Sequence, residues 1–140
     1  MPMVGTRSEQ QQGVYDAEST TALGRTFASI EDAQVFVDSI TASDWWTDCY
    51  PDVVRVDVTK QRENSPCIGT VEGTVGIIAL NSYGLCERVI IHEVAHTVEP
   101  KAGHTGPWVR ANLNITYRVR GSDAYMDLYN AYTAEGVDLG

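Results

Sequence analysis

One stretch constrains this chain more than any other. Residues 85–98, "LCERVIIHEVAHTV", are apolar on nearly every side of a helical wheel, through Leu85, Val89, Ile90, Ile91, Val94, Ala95 and Val98. The β-branched residues would also suit a strand, but the run is longer than a usual strand. Asn81 or Ser82 can cap a helix that starts there, and Pro100 ends it. A helix that is apolar all round belongs in the middle of a domain, so the rest of the chain must be built around it. Yet this helix also carries His92, Glu93 and His96. Polar groups in such a place need a chemical reason.

What can surround that helix is bounded by size. A length of 140 residues favours one domain, and a hydrophobic fraction of 43% is ordinary for a globular protein. Residues 1–12, with their "EQQQ" tract, are expected to be loose, and 13–140 to form a single domain. No apolar run reaches the roughly 20 residues that span a bilayer. The polar start "MPMVGTRSEQQQGVYDAE" has no hydrophobic signal core, which leads to the expectation of a cytoplasmic protein.

The formal charge of −9 repels phosphate backbones, and Arg110, Arg118 and Arg120 are too few for a basic stripe. Nucleic acid is therefore not an expected partner. Cys49, Cys67 and Cys86 are odd in number and show no C-x-x-C pair. They read as reduced, buried or half-buried thiols rather than as a disulfide framework or zinc ligands.

Along the chain, "GVYDAESTTAL" (13–23) suits a short helix. "SIEDAQVFVDSI" suits a second, with Ser29 as cap, Glu31 and Asp32 at its positive end, and Ile30, Ala33, Val37 and Ile40 at helical spacing. "TASDWWTDCYPD" reads as a loop. "VVRVDVTK" alternates like a half-buried strand, and "TVGIIALN" is a second strand. "QRENSPCIG" reads as a turn or hairpin end leading into Thr70–Val71. After the central helix, "TGPWVRANLNITYRV" suits a helix with Thr105 or Gly106 as cap and Pro107 at its first position. Trp108, Ala111, Ile115 and Val119 make its stripe, although Leu113, Ile115, Tyr117 and Val119 also alternate like a strand. A last helix runs from Ser122 to Gly136. Helices, then strands, then helices imply an α+β domain.

The chain has three histidines, all between positions 92 and 104. His92 and His96 stand four apart, one turn of helix, and can converge on one metal ion. With Glu93 beside them they form H-E-x-x-H, the spacing of two zinc ligands and a carboxylate base. A catalytic zinc needs a third protein ligand. Glu99 lies about 10 Å further along the helix than His92 and cannot wrap round the same ion. His104 is the better choice, because Pro100 stops the helix and Gly103 permits a tight reversal. Glu99, Asp123 and Asp127 stand next in line should His104 not serve.

These features resemble the zincin metallopeptidases, in particular the minimal ones with one short sheet and an H-E-x-x-H helix. The closer likeness is to a small family of metallohydrolases from actinobacteria and their phages. It rests on "VYDAE" (Val14 to Glu18), "HEVAH" (His92 to His96) and "GHTGPW" (Gly103 to Trp108), in that order. The resemblance implies a zincin-like domain with a short, mostly antiparallel sheet on a central H-E-x-x-H helix and flanking helices. It implies Zn2+ held by His92, His96 and His104, with Glu93 as general base. The pattern departs from metzincins, since position 99 is Glu and the third histidine comes two residues later than theirs. Repair proteases with similar helices carry basic DNA-binding surface, which this chain lacks.

The function expected is a zinc-dependent hydrolase, most simply a metallopeptidase acting on a peptide or protein. The alternatives are a hydrolase of non-peptide amides and a zinc-binding protein with little turnover. Zincins dock substrate along an edge strand before the active helix, a position that "VGIIALN" occupies in the sequence. Tyr83 or Tyr117 could serve as an oxyanion partner, although both suit ordinary packing better. Trp108 reads as a core anchor that could wall the cleft.

Overall fold

The structure is a computed structural model and describes residues 8–140. By their contacts these fall into two compact units, one of residues 23–101 and one of residues up to 22 together with 102–140.

In the first unit, α2 (Ile30–Thr41) begins where Ser29 Oγ accepts a 3.1 Å hydrogen bond from Asp32 N. It buries Ala33, Val37 and Ile40, as their spacing predicts, together with Phe36, while Ile30 is only half-buried. The segment expected to be a loop contains a short helix, α3 (Asp44–Cys49). Trp46 explains it: its ring is 1% exposed and its Nε1 donates to Val53 O at 2.7 Å. Local composition reads as a break, but burying that indole draws the segment into a turn of helix.

Three strands follow, β1 (Arg55–Lys60), β2 (Ile68–Glu72) and β3 (Val75–Leu80), in spatial order β1-β3-β2. The sheet is mixed rather than mostly antiparallel. β1 pairs with β3 in parallel from Arg55↔Val75 to Lys60↔Leu80, and β2 pairs with β3 antiparallel from Ile68↔Ala79 to Glu72↔Val75. Alternation marks a strand but not its direction. The tight turn at Gly73 (φ 60°) reverses the chain after β2, and β3 then inserts beside β1 instead of extending the sheet outward.

β3 is therefore the central strand and its two neighbours are edges. The outer side of β1 is occupied by α2, where Gln34 donates to Val56 O at 2.9 Å and accepts from Val58 N at 2.7 Å. Val56, Gly76, Ile78 and Gly69 share one face through the registers Val56↔Gly76 and Gly69↔Ile78. That face meets α4 (Glu87–Val98).

Helix α4 starts later than the sequence suggests. Asn81 caps only a 3-10 turn at Ser82–Gly84, its side chain accepting from Gly84 N, and Cys86 occupies the true N-cap. No side chain caps α4. The chain at 23–25 serves instead, with Arg25 O and Leu23 O accepting from Glu87 N and Arg88 N at 2.9 and 3.0 Å. Two of the exposed N–H groups of the first turn are thereby satisfied.

In the second unit, α1 (Glu9–Ser19) begins four residues before the helix expected there. Residues 9–12, expected to be loose, are helical; residues 1–7 lie outside the described residues. Ser8 caps the helix through Gln11 N, and Gln12 bonds Asp16 one turn on at 2.8 Å. The "EQQQ" tract is polar, yet glutamate and glutamine are good helix formers.

Helix α5 (Gly106–Arg120), with Thr105 as N-cap and Pro107 in its first turn, is followed through Gly121 (φ 94°) by α6 (Ser122–Ala134). Val14, Trp108, Val109, Ile115 and Tyr132 are fully buried. A polar link crosses this core: Asn112 Nδ2 donates to Tyr132 OH at 2.8 Å, and Tyr132 OH donates to Glu18 Oε2 at 2.7 Å. Among the described residues, no helix is long and apolar enough to cross a membrane. The described residues form six α-helices and one small mixed sheet, an α+β arrangement.

Candidate metal centre

The site begins with the packing of α4. Ile90, Ile91, Val94 and Ala95 are at most 1% exposed, so the helix is held in a fixed rotation about its axis. That rotation carries His92 and Glu93 inward, each 5% exposed, and leaves His96 half-buried. The two imidazoles stand 5.1 Å apart between centroids, with planes 65° apart. This is the one-turn relationship that their spacing requires.

Helix α4 ends at Val98, and Pro100 follows in the turn. Gly103 has φ 58°, a left-handed conformation that glycine adopts without penalty. The reversal expected of "EPKAG" is therefore present, and His104 comes immediately before the N-cap of α5. One nitrogen from each of His92, His96 and His104 lies within 4.8 Å of the other two. The three histidines singled out in the sequence are brought together and could hold a metal ion. Among the described residues, no other cluster of histidine, cysteine and carboxylate does so, and Glu99, Asp123 and Asp127 take no part.

The donor chemistry fits zinc. Three neutral imidazoles are a catalytic donor set, and tetrahedral bonds of about 2.0–2.1 Å would put their nitrogens about 3.3–3.4 Å apart.

The environment of α4 was not legible in the sequence. A β-carbon on Gly69 would stand 2.2 Å from Glu93 O and 3.1 Å from His96 Cβ. One on Gly76 would stand 2.9 Å from Thr97 Cβ and 3.0 Å from a Val56 methyl. Glycine at Gly69 lets β2 approach the backbone of the histidine helix, and at Gly76 it leaves room for the side chain of Thr97. Strand β2 consequently runs alongside Glu93 and His96. The signal in the sequence was an unexplained glycine in each strand.

The tyrosine candidates fare differently from the histidines. Tyr117 lies about 16 Å along α5 from the end that follows His104, pairs edge-on with Tyr125 at 5.7 Å, and is not beside the third histidine. Tyr83 is 71% exposed in the 3-10 turn. Tyr15, which the sequence did not single out as an oxyanion partner, has its ring centroid 5.2 Å from that of His104. Trp108 is fully buried, as a core anchor would be, and also lies edge-on to His104 at 4.7 Å.

None of the three cysteines is in a disulfide, and among the described residues none belongs to a metal cluster. Cys49 is exposed, Cys67 half-buried and Cys86 buried. Burial is the main cause that pushes the Cys67 thiol up, and the nearby charge of Glu93 adds to it. Set against protein-family models, curated proteins and solved structures, this chain finds no match in any of the three.

Proposed function

We propose that this protein is a zinc-dependent hydrolase of zincin type, most simply a metallopeptidase. The observation that carries the reading is the convergence of His92, His96 and His104 beside a buried Glu93. A metal held only for structure would have no need of that glutamate. When bound, zinc would act as a Lewis acid and bring the pKa of a water towards neutrality.

The residues of the chain supply the remainder. His92 and His96 are fixed by the buried helix, and the turn that leads into α5 brings His104 to them. Glu93 would take the proton of the attacking water at a carboxylate oxygen, hold it, and pass it to the leaving amine. Burial places that carboxylate away from bulk solvent, where its charge acts more strongly.

An extended substrate would dock by strand addition. The segment expected to receive it, "VGIIALN", is the central strand β3 and has both sides paired. β2 takes its place. It is an edge, its exposed residues alternate with half-covered ones, and Gly69 sets it against Glu93 and His96. The other edge, β1, is already hydrogen-bonded by Gln34. An edge strand beside the histidines favours a peptide over a compact amide.

The test is cleavage of a broad peptide library by zinc-loaded protein, with Glu93→Gln as the matched control. Cleavage abolished by that substitution supports the reading. A wild type that retains zinc but cuts neither peptides nor other amides would favour a zinc-binding protein instead.

A further inference from the structure

Of the three histidines, His104 has the weakest local support. His92 and His96 sit on a packed helix, where few rotamers are open to them. His104 lies in the turn that runs from the end of α4 to Thr105, with no regular ladder of hydrogen bonds. Left to itself, its imidazole would sample several directions, and ordering it would oppose metal binding. Something has to orient it.

Three contacts from α1 and α5 converge on this residue. Trp108, one turn into α5, presents its ring at 4.7 Å and 81° to the imidazole. Tyr15, from α1, presents its ring at 5.2 Å and 63°. Gln10 donates through Nε2 to His104 O at 3.1 Å and ties down the backbone beneath the ring. Trp108 also belongs to the hydrophobic core. Tyr15 is different: it is half-buried, while its helix neighbours Val14 and Ala17 supply the core contacts of α1.

We infer that Tyr15 is the positioning residue that fixes the imidazole of His104 in the direction a metal ion requires. Tyr15 and Trp108 each meet the imidazole in a T-shaped contact, the arrangement that aromatic quadrupoles favour, and together they bias its orientation. Metal ligands are commonly oriented by groups that do not touch the metal, and losing such a group weakens binding about 10–100-fold. This inference gives "VYDAE" a division of labour. Val14 and Ala17 pack, Glu18 receives Tyr132, Asp16 receives Gln12, and Tyr15 orients the third histidine.

The inference rests on the metal-site reading, and the experiment separates the two. Zinc affinity is measured by competition with a chromophoric chelator, and the geometry of the site by the visible spectrum of the cobalt-substituted protein. The expectation is that Tyr15→Ala weakens zinc binding about 10–100-fold and alters the cobalt spectrum, whereas Tyr15→Phe, which keeps the ring, stays near wild type. In a His104→Ala background, Tyr15→Ala should have no further effect on affinity. Tyr15→Leu fills the space without a ring and should behave as Tyr15→Ala does, which guards against a misfolded alanine variant. Unchanged affinity in both ringless variants, or an equal loss with and without His104, would overturn the assignment of Tyr15. A wild type that binds no zinc would remove the metal site itself.

Discussion

Gly69 of β2 lies so close to Glu93 of α4 that a β-carbon would fall 2.2 Å from the Glu93 carbonyl oxygen. The obstacle is backbone, so no change of rotamer can relieve it. Gly69→Ala should force β2 away from the helix and destabilise the protein by about 1–3 kcal/mol, the usual cost of overpacking. Urea unfolding measures this. A midpoint equal to wild type would mean that the strand and helix are not in contact there. Gly73, with no atom near its missing side chain but a positive φ, is the comparison site, where strain would come from conformation alone.

Zinc should bind at about one ion per chain, and removing it should lower the unfolding temperature. A ligand that binds only the folded state stabilises it by about 2.7 kcal/mol at one hundred times its Kd. His92→Ala, His96→Ala and His104→Ala should each weaken retention in a chelator competition. Full retention by His104→Ala alone would show that another group completes the set.

Glu93→Gln should leave zinc content near wild type, because Glu93 lies outside the histidine cluster. Turnover of any substrate the library yields should fall by about 10²–10⁴-fold, the usual worth of a positioned general base. A glutamine variant that works at the wild-type rate would rule Glu93 out as the base.

The buried link through Tyr132 makes a prediction about pH. Burial, and then the charge of Glu18, raise the Tyr132 hydroxyl well above its ordinary value. Below the unfolded value of about 10 both states hold the proton, and the contribution to stability is complete. Above it the unfolded chain ionises first, so stability is lost as pH climbs towards the folded value. Tyr132→Phe should lessen this alkaline loss. At neutral pH it should cost about 1–3 kcal/mol, because Asn112 and Glu18 each lose a buried partner. Unfolding curves at pH 7 and above pH 10 would show both effects; parallel losses in wild type and variant would refute the link.

The thiols should titrate as three free groups in denatured protein kept without reductant. In the folded state Cys49 should react first. Cys67 should lag through burial and a raised pKa, and Cys86 should react last. Fewer than three thiols would indicate a disulfide.

What the sequence determined by itself was local. Ser29 at the head of α2, Pro107 and Thr105 at the start of α5, and Gly136 past α6 act over a few residues, through caps and fixed dihedrals. The one-turn spacing of His92 and His96 is of the same kind, and so is the left-handed turn at Gly103 that precedes His104. These follow from nearest-neighbour geometry, which the chain carries wherever it folds.

The tertiary structure decided the rest. Alternation of valines could not say that β3 would lie in the centre and β2 at the edge, because strand order depends on which partners win the pairing. Nor could "DWWTDC" announce a helix, since Trp46 gains its burial and its bond to Val53 only in the folded unit. Nor does a lone glycine in a strand announce what comes against it, which is the backbone of Glu93 at Gly69 and the side chains of Thr97 and Val56 at Gly76. Tyr15 and Gln10 meet His104 across most of the chain's length, a separation of 94 residues for Gln10. Contacts so distant leave no periodicity in the sequence, because neither residue constrains the other until the chain has closed the loop between them.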